Sequence, residues 1–428
     1  MQELLKEGGE LYLSEKYIPE KPLYREKNIE KYLSYLRSFL VYDIPGLILF
    51  EGPTGTGKTM SFRFSERMIR EKLRLEEIGG KIIYVNGMDK TVIEVIHQIL
   101  TNLGISIPRR GFSFGTYVSE LEYFLRNFDG HLHVCVDEID RVGWRGEHSV
   151  EDLLYVLSRS DHLSATIITN DFTFVKRIKD PRVRSSISVD RSIVFDRYSS
   201  EQCYHILKDR CEKAFREGVI SDSVIRRLSG IIGNESGDIR AAITVLRFAA
   251  EIAAERGGME ITVDDINAAW KKFESYSMVE KINALETAQK IVLAAMYLAI
   301  RESGRPENNS GAIHEKVCTL RERLGMDLIS IETLRARLNE LEEYRLISCS
   351  KRSRGRGAGV ERLYRLEIEV SSLLESLKRS PELYAALKDE VEKIVSERVR
   401  RSQQLHGLSS QGGSHFMQSH AEKRNRIP

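Results

Sequence analysis

The sequence predicts an α/β protein with a parallel β-sheet covered by helices, followed by an all-helical domain and a domain of helices and a β-hairpin. Short apolar runs rich in β-branched residues alternate with helical patterns over about residues 15–197. From residue 200 the strand-like runs stop, and from about residue 283 helices precede a basic, glycine-containing turn. At 428 residues the chain exceeds the size of one hydrophobic core, so several domains are expected.

Five strand-like runs lie at 47–50, 81–85, 133–136, 165–169 and 192–195, each followed by a helical pattern or a turn. Continuous apolar runs are typical of strands buried on both faces of a parallel sheet. The carboxyl ends of such strands share one edge of the sheet, where α/β proteins bind ligands. We therefore expect a ligand-binding α/β core over residues 1–197.

The remaining domains follow from changes in pattern. Residues 198–278 show helical periodicity and helix caps such as Thr262, which predicts a small helical lid. Residues 279–404 contain three helical segments and then a hairpin, the order of a winged helix, with a further helix at the end. Residues 405–428, rich in Ser, Gly, His and Gln, are expected to form a disordered tail.

The winged helix carries the strongest local positive charge. A recognition helix over 330–344 would have Arg335 and Arg337 near its start, in a position to enter a major groove. The hairpin after it has six basic residues and one acid, Glu361. The six are Lys351, Arg352, Arg354, Arg356, Arg362 and Arg365. A basic hairpin can follow a phosphate backbone or enter a minor groove, so contacts with double-stranded DNA are expected.

A phosphate-binding loop follows the first strand. Residues 52–59, G-P-T-G-T-G-K-T, match G-x-x-x-x-G-K-[ST] between a strand and a helical stretch. The backbone N–H groups of such a turn, together with the positive end of the next helix, bind phosphates. Lys58 is expected to reach the β- and γ-phosphates of ATP, and Thr59 to bind Mg²⁺. The nucleotide contacts are expected from Pro53, Thr54, Gly55, Thr56, Gly57, Lys58, Thr59 and Met60.

Two acids end the third strand. Buried carboxylates are costly unless they are paired or bind a metal, which indicates a purpose for Asp137 and Glu138 at the ligand-binding edge of the sheet. We expect Asp137 to hold Mg²⁺ and Glu138 to orient and polarise the attacking water.

Two further polar residues are candidates for the same site. Asn170 ends the next strand and could position the water near the γ-phosphate, although an asparagine that starts a turn is the alternative. Arg240 opens a lid helix whose cap is expected to be Asp238. Arg240 would face the phosphates, so that closure of the lid depends on the nucleotide. A solvated helical arginine is the alternative for Arg240.

Taken together, these motifs resemble the archaeal replication initiators related to the eukaryotic origin recognition complex, which are ATPases of the AAA+ class. The matching segments are 52–59, 134–140, 169–170, 180–186 and 237–240, followed by the winged helix, and the resemblance covers about residues 15–370. It implies an AAA+ core, a lid and a winged helix.

The resemblance also implies roles for residues outside the motifs. Segments 17–20 and 23–26 match the family's N-terminal segment beside the adenine, which adds Tyr17, Ile18 and Arg25 to the nucleotide contacts. Arg182 or Arg184 would reach the ATP of a neighbouring initiator subunit. Residues 107–115 match a helical insertion that contacts DNA, with Arg109 and Arg110 as candidates. A plain loop is the alternative for this insertion.

The expected function is that of an ATP-regulated initiator that binds origin duplex DNA and recruits the replicative MCM helicase, with slow hydrolysis to ADP as a switch. Glu138, Asn170, Arg240 and Lys58 are the expected catalytic residues. Two alternatives stay open, namely a motor or clamp-loader-like ATPase with rapid turnover, and an ATP-controlled winged-helix regulator of transcription.

Composition excludes little else. Lys and Arg number 65 and Asp and Glu 63, so bulk charge does not indicate a nucleic-acid partner. The five cysteines form no C-x-x-C pair, which favours a reduced compartment over a disulfide framework. The N-terminal residues lack the apolar stretch of a signal peptide, and no apolar run approaches the length that spans a bilayer. A cytoplasmic protein with no membrane partner is expected.

Overall fold

The structure, a computed structural model, describes residues 3–72, 80–143, 147–187, 191–353, 360–398 and 400. It divides into two compact units, Met1–Trp270 and Lys271–Pro428. None of the helices in the described ranges has both the length and the apolar character needed to cross a membrane. The predicted tail at 405–428 lies outside the described residues.

The first unit is built on a five-stranded sheet in which every neighbouring pair is parallel, in the order β2-β3-β4-β1-β5. The strands are β1 (Gly46–Glu51), β2 (Lys81–Asn86), β3 (Leu132–Asp137), β4 (Leu163–Thr169) and β5 (Ser192–Val194). Every residue of β3 and β4 is buried, as the continuous apolar runs predict. The predicted fold class is confirmed, and the carboxyl ends of all five strands meet at one edge.

In the described residues, seven helices accompany this sheet. They are α1 (Glu26–Tyr42), α2 (Lys58–Lys72), α3 (Val92–Asn102), α4 (Phe114–Asn127), α5 (Val150–Arg159), α6 (Phe174–Arg177) and α7 (Pro181–Ser186). One apolar core packs β-strand residues against α3, α4 and α5, and a second packs them against α1 and α2. Local sequence sets the helix starts: Thr91 and Glu94 form a reciprocal capping box at α3.

The lid region of the first unit is helical, as predicted. Its helices are α8 (Ser200–Ala214), α9 (Asp222–Glu235), α10 (Ile239–Glu255) and the beginning of α11 (Val263–Asn283), which ends in the second unit. Asp238 caps α10, since its carboxylate accepts the N–H groups of Arg240 at 2.8 Å and Ala241 at 3.3 Å. A 3-10 helix at Gly9–Leu13 packs against α8. The predicted boundary at 278/279 falls inside α11, which is continuous, so this boundary stays a prediction.

The second unit contains α12 (Thr287–Ser303), β6 (Glu307–Asn309), α13 (Ser310–Arg323), α14 (Ile331–Glu343), β7 (Ile347–Ser353), β8 (Val360–Leu366) and α15 (Val370–Leu377). A further helix runs over 381–398. The three strands form an antiparallel sheet in the order β6-β8-β7. Leu334, Leu338 and Leu341 of α14 are fully buried in the core of this unit. The order of helices followed by a hairpin is that of a winged helix.

One expectation from the resemblance is wrong in its secondary structure. Residues 105–113 between α3 and α4 form an irregular loop, and helix begins only at Phe114, after the cap Ser113. Pro108 and Gly111, which has a φ of 93°, both disfavour a helix at this point.

Candidate nucleotide-binding site

A cavity of about 400 Å³ opens at the carboxyl edge of the sheet in the first unit. Its lining comes from the loop 55–60, the ends of β2, β3 and β4, Tyr198, the helices α8 and α10, and the N-terminal residues between 15 and 23. A cavity at this edge is the usual ligand site of a parallel α/β sheet. The predicted nucleotide loop and the predicted acids therefore share one cavity.

The loop between β1 and α2 is shaped by glycines where other residues would clash. Gly55 and Gly57 have φ values of 70° and 88°, in the left-handed region that favours glycine. A Cβ on Gly55 would lie 1.7 Å from the Asp238 carboxylate, and a Cβ on Gly57 would lie 2.8 Å from the Tyr198 hydroxyl. The glycines thus allow the lid and the segment before it to approach the loop closely.

Lys58 begins α2 and is only 6% exposed. Its ammonium donates to the carbonyls of Gly52 and Pro53, both at 2.6 Å, and to the side-chain oxygen of Asn170 at 2.9 Å. Burial lowers the pKa of Lys58 to about 8, and the nearby Asp137 opposes this shift. The ammonium is therefore held between the loop and the end of β4. An anion bound in the loop would lie beside it.

Asp137 ends β3 and is 6% exposed. One carboxylate oxygen accepts the hydroxyl of Thr59 at 2.7 Å and that of Tyr84 at 2.9 Å. Oxygen donors of this kind suit Mg²⁺, which keeps several waters and takes few protein ligands. Among the described residues there is no cluster of three or more side chains that could hold a metal by themselves. The pair Asp137 and Thr59 therefore fits a metal that is also held by phosphates.

Glu138 follows Asp137 with the left-handed φ of 54°, which is strained for a residue with a side chain. Burial, together with the charges of Asp137 and Asp140, raises the pKa of Glu138. A carboxylate with a raised pKa that lines the cavity is suited to accept a proton. The side chain of Glu138 therefore lies at the cavity directly after the end of β3.

Asn170 is positioned by an acid that the sequence interpretation did not single out. Asp140 accepts the Thr169 hydroxyl at 2.9 Å and the Asn170 backbone N–H at 3.3 Å. These bonds hold the end of β4 so that the Asn170 side chain meets Lys58. Asp140 therefore links the turn after β3 to the end of the neighbouring strand.

The lid contributes Arg240, which lines the cavity from the first turn of α10. The charge of Arg240 acts to lower the pKa of Lys58 and of Glu138, so the guanidinium lies near both. The N–H of Ile239 also donates to the Gly55 carbonyl at 3.4 Å. Two cations from different domains of the unit thus face the same cavity, an arrangement that a polyanion would stabilise.

The N-terminal residues differ in where they lie. Among the described residues, Tyr17 lines the cavity, whereas Ile18 and Arg25 do not. Arg25 is 6% exposed and donates to the carbonyls of Thr56 at 2.8 Å and Asp196 at 2.6 Å. Its guanidinium also lies 3.8 Å from the ring centroid of Tyr198. Arg25 therefore braces the loop against the entry to the lid, and its expected place beside the base stays a prediction.

Arg182 and Arg184, the candidates for a contact with another subunit, lie on α7 outside the cavity. Arg182 is exposed and pairs with Asp180 at 2.8 Å. Arg184 donates to the carbonyl of Ile178 in its own chain. The structure leaves the choice between them open, and both stay predictions.

The candidate DNA contacts fall into two groups. In the first unit, Arg109 is exposed and paired with Glu94, and Arg110 is exposed. In the second unit, Arg335 is exposed on α14, whereas Arg337 is half-buried and bound to Glu340 at 2.9 Å. Lys351 and Arg352 are exposed and lie on β7 rather than in the turn. Arg354 and Arg356 lie outside the described residues.

The cavity residues that the sequence interpretation missed include Tyr84, Tyr198 and Arg210. Tyr84 stands two residues before the end of β2, so the shared strand edge could have indicated it. Tyr198 and Arg210 had no such signal, because they become part of the cavity only when the lid packs on the core.

Comparisons with known proteins agree with this architecture. The Cdc6 AAA+ ATPase-type lid domain matches residues 204–271, and the CDC6 C-terminal winged helix domain matches residues 280–376. The ORC1-type DNA replication protein 1 of Methanothermobacter thermautotrophicus is 34% identical over 372 residues, which are 86% of this chain and 94% of that protein. A Sulfurisphaera tokodaii protein of the same name is 29% identical, over 87% of this chain and 93% of its own length.

A solved structure is similar over nearly the whole molecule. The Aeropyrum pernix ORC1 protein, solved in complex with DNA, has a TM-score of 0.77 and 28% sequence identity, covering 89% of this chain and 98% of its own. The Aeropyrum pernix ORC2 protein, in its ADPNP and ADP complexes, has a TM-score of 0.55 and 20% identity over 92% of this chain and all of its own, and shows the fold alone.

Proposed function

The chain belongs to the ORC1/Cdc6 family of DNA replication initiators, and from this premise we propose that it binds origin duplex DNA under the control of ATP, which it hydrolyses slowly as a switch. One observation carries the nucleotide part of the proposal. Lys58, Asp137 and Arg240, from the loop, the sheet and the lid, line a single cavity together with Asn170.

The loop and two cations, Lys58 and Arg240, would bind the phosphates. The first turn of α2 leaves backbone N–H groups without a partner in the helix, and these suit phosphate oxygens. Lys58 and Arg240 would neutralise the charge of the triphosphate from opposite sides. Pro53 and Thr54 would shape the loop, whereas Thr56, Gly57 and Met60 line the cavity itself. The Tyr17 segment would lie over the base.

Mg²⁺, held by the Thr59 hydroxyl and by Asp137, would neutralise phosphate charge and orient the phosphates. Tyr84 keeps the Asp137 carboxylate beside Thr59 through its own hydrogen bond. The residues present fit the metal, since each offers an oxygen and the carboxylate is fixed in place.

For hydrolysis, Glu138 would polarise the attacking water, because its raised pKa makes it a better proton acceptor than an ordinary surface carboxylate. Asn170 would orient this water while it holds Lys58. Arg240 would leave the cavity with the lid after hydrolysis, so that the position of the lid depends on whether ATP or ADP is bound. An initiator that acts as a switch needs slow rather than rapid turnover.

DNA recognition is proposed for two surfaces. The solved relative with DNA bound makes a DNA complex a reasonable expectation for this chain. Arg335 on α14 and the exposed Lys351 and Arg352 on β7 are the best-placed cations of the winged helix. The loop with Arg109 and Arg110 is a second, smaller basic surface of the core. We also propose that the DNA-bound protein, acting in the cytoplasm, recruits the replicative MCM helicase, and that Arg182 or Arg184 contacts the ATP of an adjacent initiator subunit.

Turnover measured with and without duplex DNA tests the switch against a motor or clamp-loader-like ATPase. The proposal expects slow hydrolysis under both conditions. Strong stimulation to many turnovers per second by any duplex would favour the motor. Footprints confined to promoters would favour a transcription regulator.

A further inference from the structure

The N-terminal segment is attached to the lid, although it precedes the core in sequence. The N–H of Lys6 donates to the Ala214 carbonyl at 2.9 Å, and the N–H of Arg216 donates to the Leu4 carbonyl at 3.1 Å. Leu4, Leu5 and Leu13 are 5% exposed or less. We call residues 3–17 the strap. Its buried leucines and its backbone bonds to the end of α8 make it move with the lid.

The strap crosses to the core at the mouth of the cavity. Residues Glu15, Lys16 and Tyr17 line the cavity, as does Pro19. The Pro19 carbonyl accepts a hydrogen bond at 3.1 Å from Arg67 on α2. The chain therefore passes from lid to core within two residues, directly above the space between the phosphate loop and α10.

Two side chains of α8 contact the end of the strap, since Lys213 has a hydrogen bond to the Tyr17 side chain and Arg210 bonds the backbone. Arg210 of α8 is 8% exposed, and its guanidinium donates to the carbonyls of Tyr12 at 2.9 Å and Ser14 at 3.1 Å. It reaches the Tyr17 carbonyl at 3.5 Å, and it lies 5.0 Å from the centroid of the Tyr17 ring. Tyr17 in turn packs edge-on against Tyr12 at 4.9 Å. A planar guanidinium serves several acceptors at once, which an ammonium cannot do in the same geometry.

We propose that Arg210 is a positioning residue that sets the affinity for the base of the nucleotide, by holding the Tyr17 end of the strap over the cavity. This rests on the proposed function, because it deepens the use of the same ATP site. Phosphate binding and base binding then depend on different residues. Lys58 and Thr59 bind the phosphates, whereas Arg210 affects only the contacts with the base. The arrangement also links the base to the lid, since the strap is fastened to α8.

The test compares two probes that share a triphosphate, ATP and inorganic tripolyphosphate, each with Mg²⁺, by calorimetry on the full chain. Arg210→Met should weaken ATP binding by about tenfold or more, while tripolyphosphate binding changes less than about twofold. Arg210→Lys, which keeps the charge and the stem, should fall between Arg210→Met and the wild type. The matched control is Arg227→Met, because Arg227 is an exposed lid arginine whose side chain, within the described part of the chain, bonds only Asn267.

Each outcome is decisive. Equal loss of both probes in a folded Arg210→Met variant would show a general role in lid packing and overturn the proposal. Unchanged ATP affinity would overturn it as well. Should Arg210→Met fail to fold, the ratio of the two affinities in Arg210→Lys decides in the same way. A wild-type protein that binds neither probe would instead refute the proposed ATP site, and the proposal for Arg210 would fall with it.

Discussion

Asp137 and Glu138 are neighbours in the chain, yet their surroundings assign them different chemistry. Asp137 is held by two hydroxyl donors, which favours a fixed carboxylate beside a cation. Glu138 lies in the strained backbone conformation after the strand, and burial raises its pKa. A rigid ligand and an adjacent proton acceptor are thus produced by one turn of the chain.

Glu138→Gln should keep ATP affinity while hydrolysis falls by about a hundredfold or more, because the amide cannot accept the proton of the water. Single-turnover hydrolysis and nucleotide titration measure the two properties separately. Glu71→Gln, at an exposed position on α2, is the matched control and should change neither. Undiminished turnover of Glu138→Gln would reject Glu138 as the catalytic base.

The lowered pKa of Lys58 predicts how ATP affinity depends on pH. The charged ammonium binds phosphate, and its pKa of about 8 means that it is charged below pH 8 and loses its proton above it. Affinity should therefore be nearly constant from pH 6.5 to 7.5 and fall by up to about tenfold per unit well above pH 8. Calorimetry across this range measures it.

Lys58→Arg serves as the control for this dependence, since arginine stays charged throughout. Its affinity should be lower, because the guanidinium does not match the lysine site, but it should not decline in the same pH range. A wild-type affinity that stays constant up to pH 9.5 would contradict the assignment of Lys58.

At the scale of elements, the loop and the first turn of α10 approach each other closely at Gly55. Gly55 and Gly104 both have positive φ, at 70° and 87°, but only Gly55 faces a neighbour within 4 Å. Gly55→Ala should weaken ATP binding by about tenfold, because its Cβ would displace Asp238 and the start of α10. Both variants should lose stability by about 1 kcal/mol from backbone strain.

Thermal unfolding and ATP titration of the two glycine variants distinguish strain from lid displacement. Gly104→Ala should bind ATP like the wild type, since nothing lies within 4 Å of its Cβ. Equal ATP affinities in both variants would show that the approach of Asp238 to Gly55 has no part in binding.

The hairpin of the winged helix should bind DNA mainly through charge. If it neutralises about five phosphates, the logarithm of the affinity should fall with the logarithm of salt concentration at a slope of about −4 to −5. Replacing Lys351 and Arg352 by alanine should reduce the magnitude of this slope by about 2. Fluorescence anisotropy with duplex DNA at several salt concentrations measures it. A slope near zero would show that the hairpin does not bind the phosphates of DNA.

Within α14, Arg335 and Arg337 form a matched pair. Arg335 is exposed, whereas Arg337 is bound to Glu340 and is near Glu286. Arg335→Ala should therefore cost about 1–3 kcal/mol in specific DNA binding, the range for a side chain that contacts a base edge. Arg337→Ala should cost less. A larger loss of binding for Arg337→Ala than for Arg335→Ala would show that a different side of α14 faces the groove.

Most of the architecture could be predicted from sequence, because periodicity is a local signal. All five strands lie where the apolar runs predicted them, within a few residues at either end. The loop at 107–113 was the exception, since the resemblance suggested a helix that Pro108 and Gly111 do not support. Family resemblance implied an element that the local residues disfavour.

At the scale of the whole molecule, the site residues that sequence predicted are those carried by motifs, and those it missed depend on tertiary packing. Lys58, Asp137 and Asn170 could be placed together because strand ends share an edge. The bonds by which Arg25 braces the loop could not be predicted, since its acceptors are backbone carbonyls that have no sequence signature. Arg210 contributes only because the strap folds back onto the lid.

We propose that the nucleotide at this cavity controls how the whole chain engages origin DNA. The most direct measurement is a genome-wide footprint of the wild type and of Glu138→Gln, each with ATP and with ADP. We expect the protein to protect DNA repeats that flank an origin, with different footprints in ATP and in ADP. The footprint in ATP should persist in Glu138→Gln. Identical footprints with both nucleotides would contradict it.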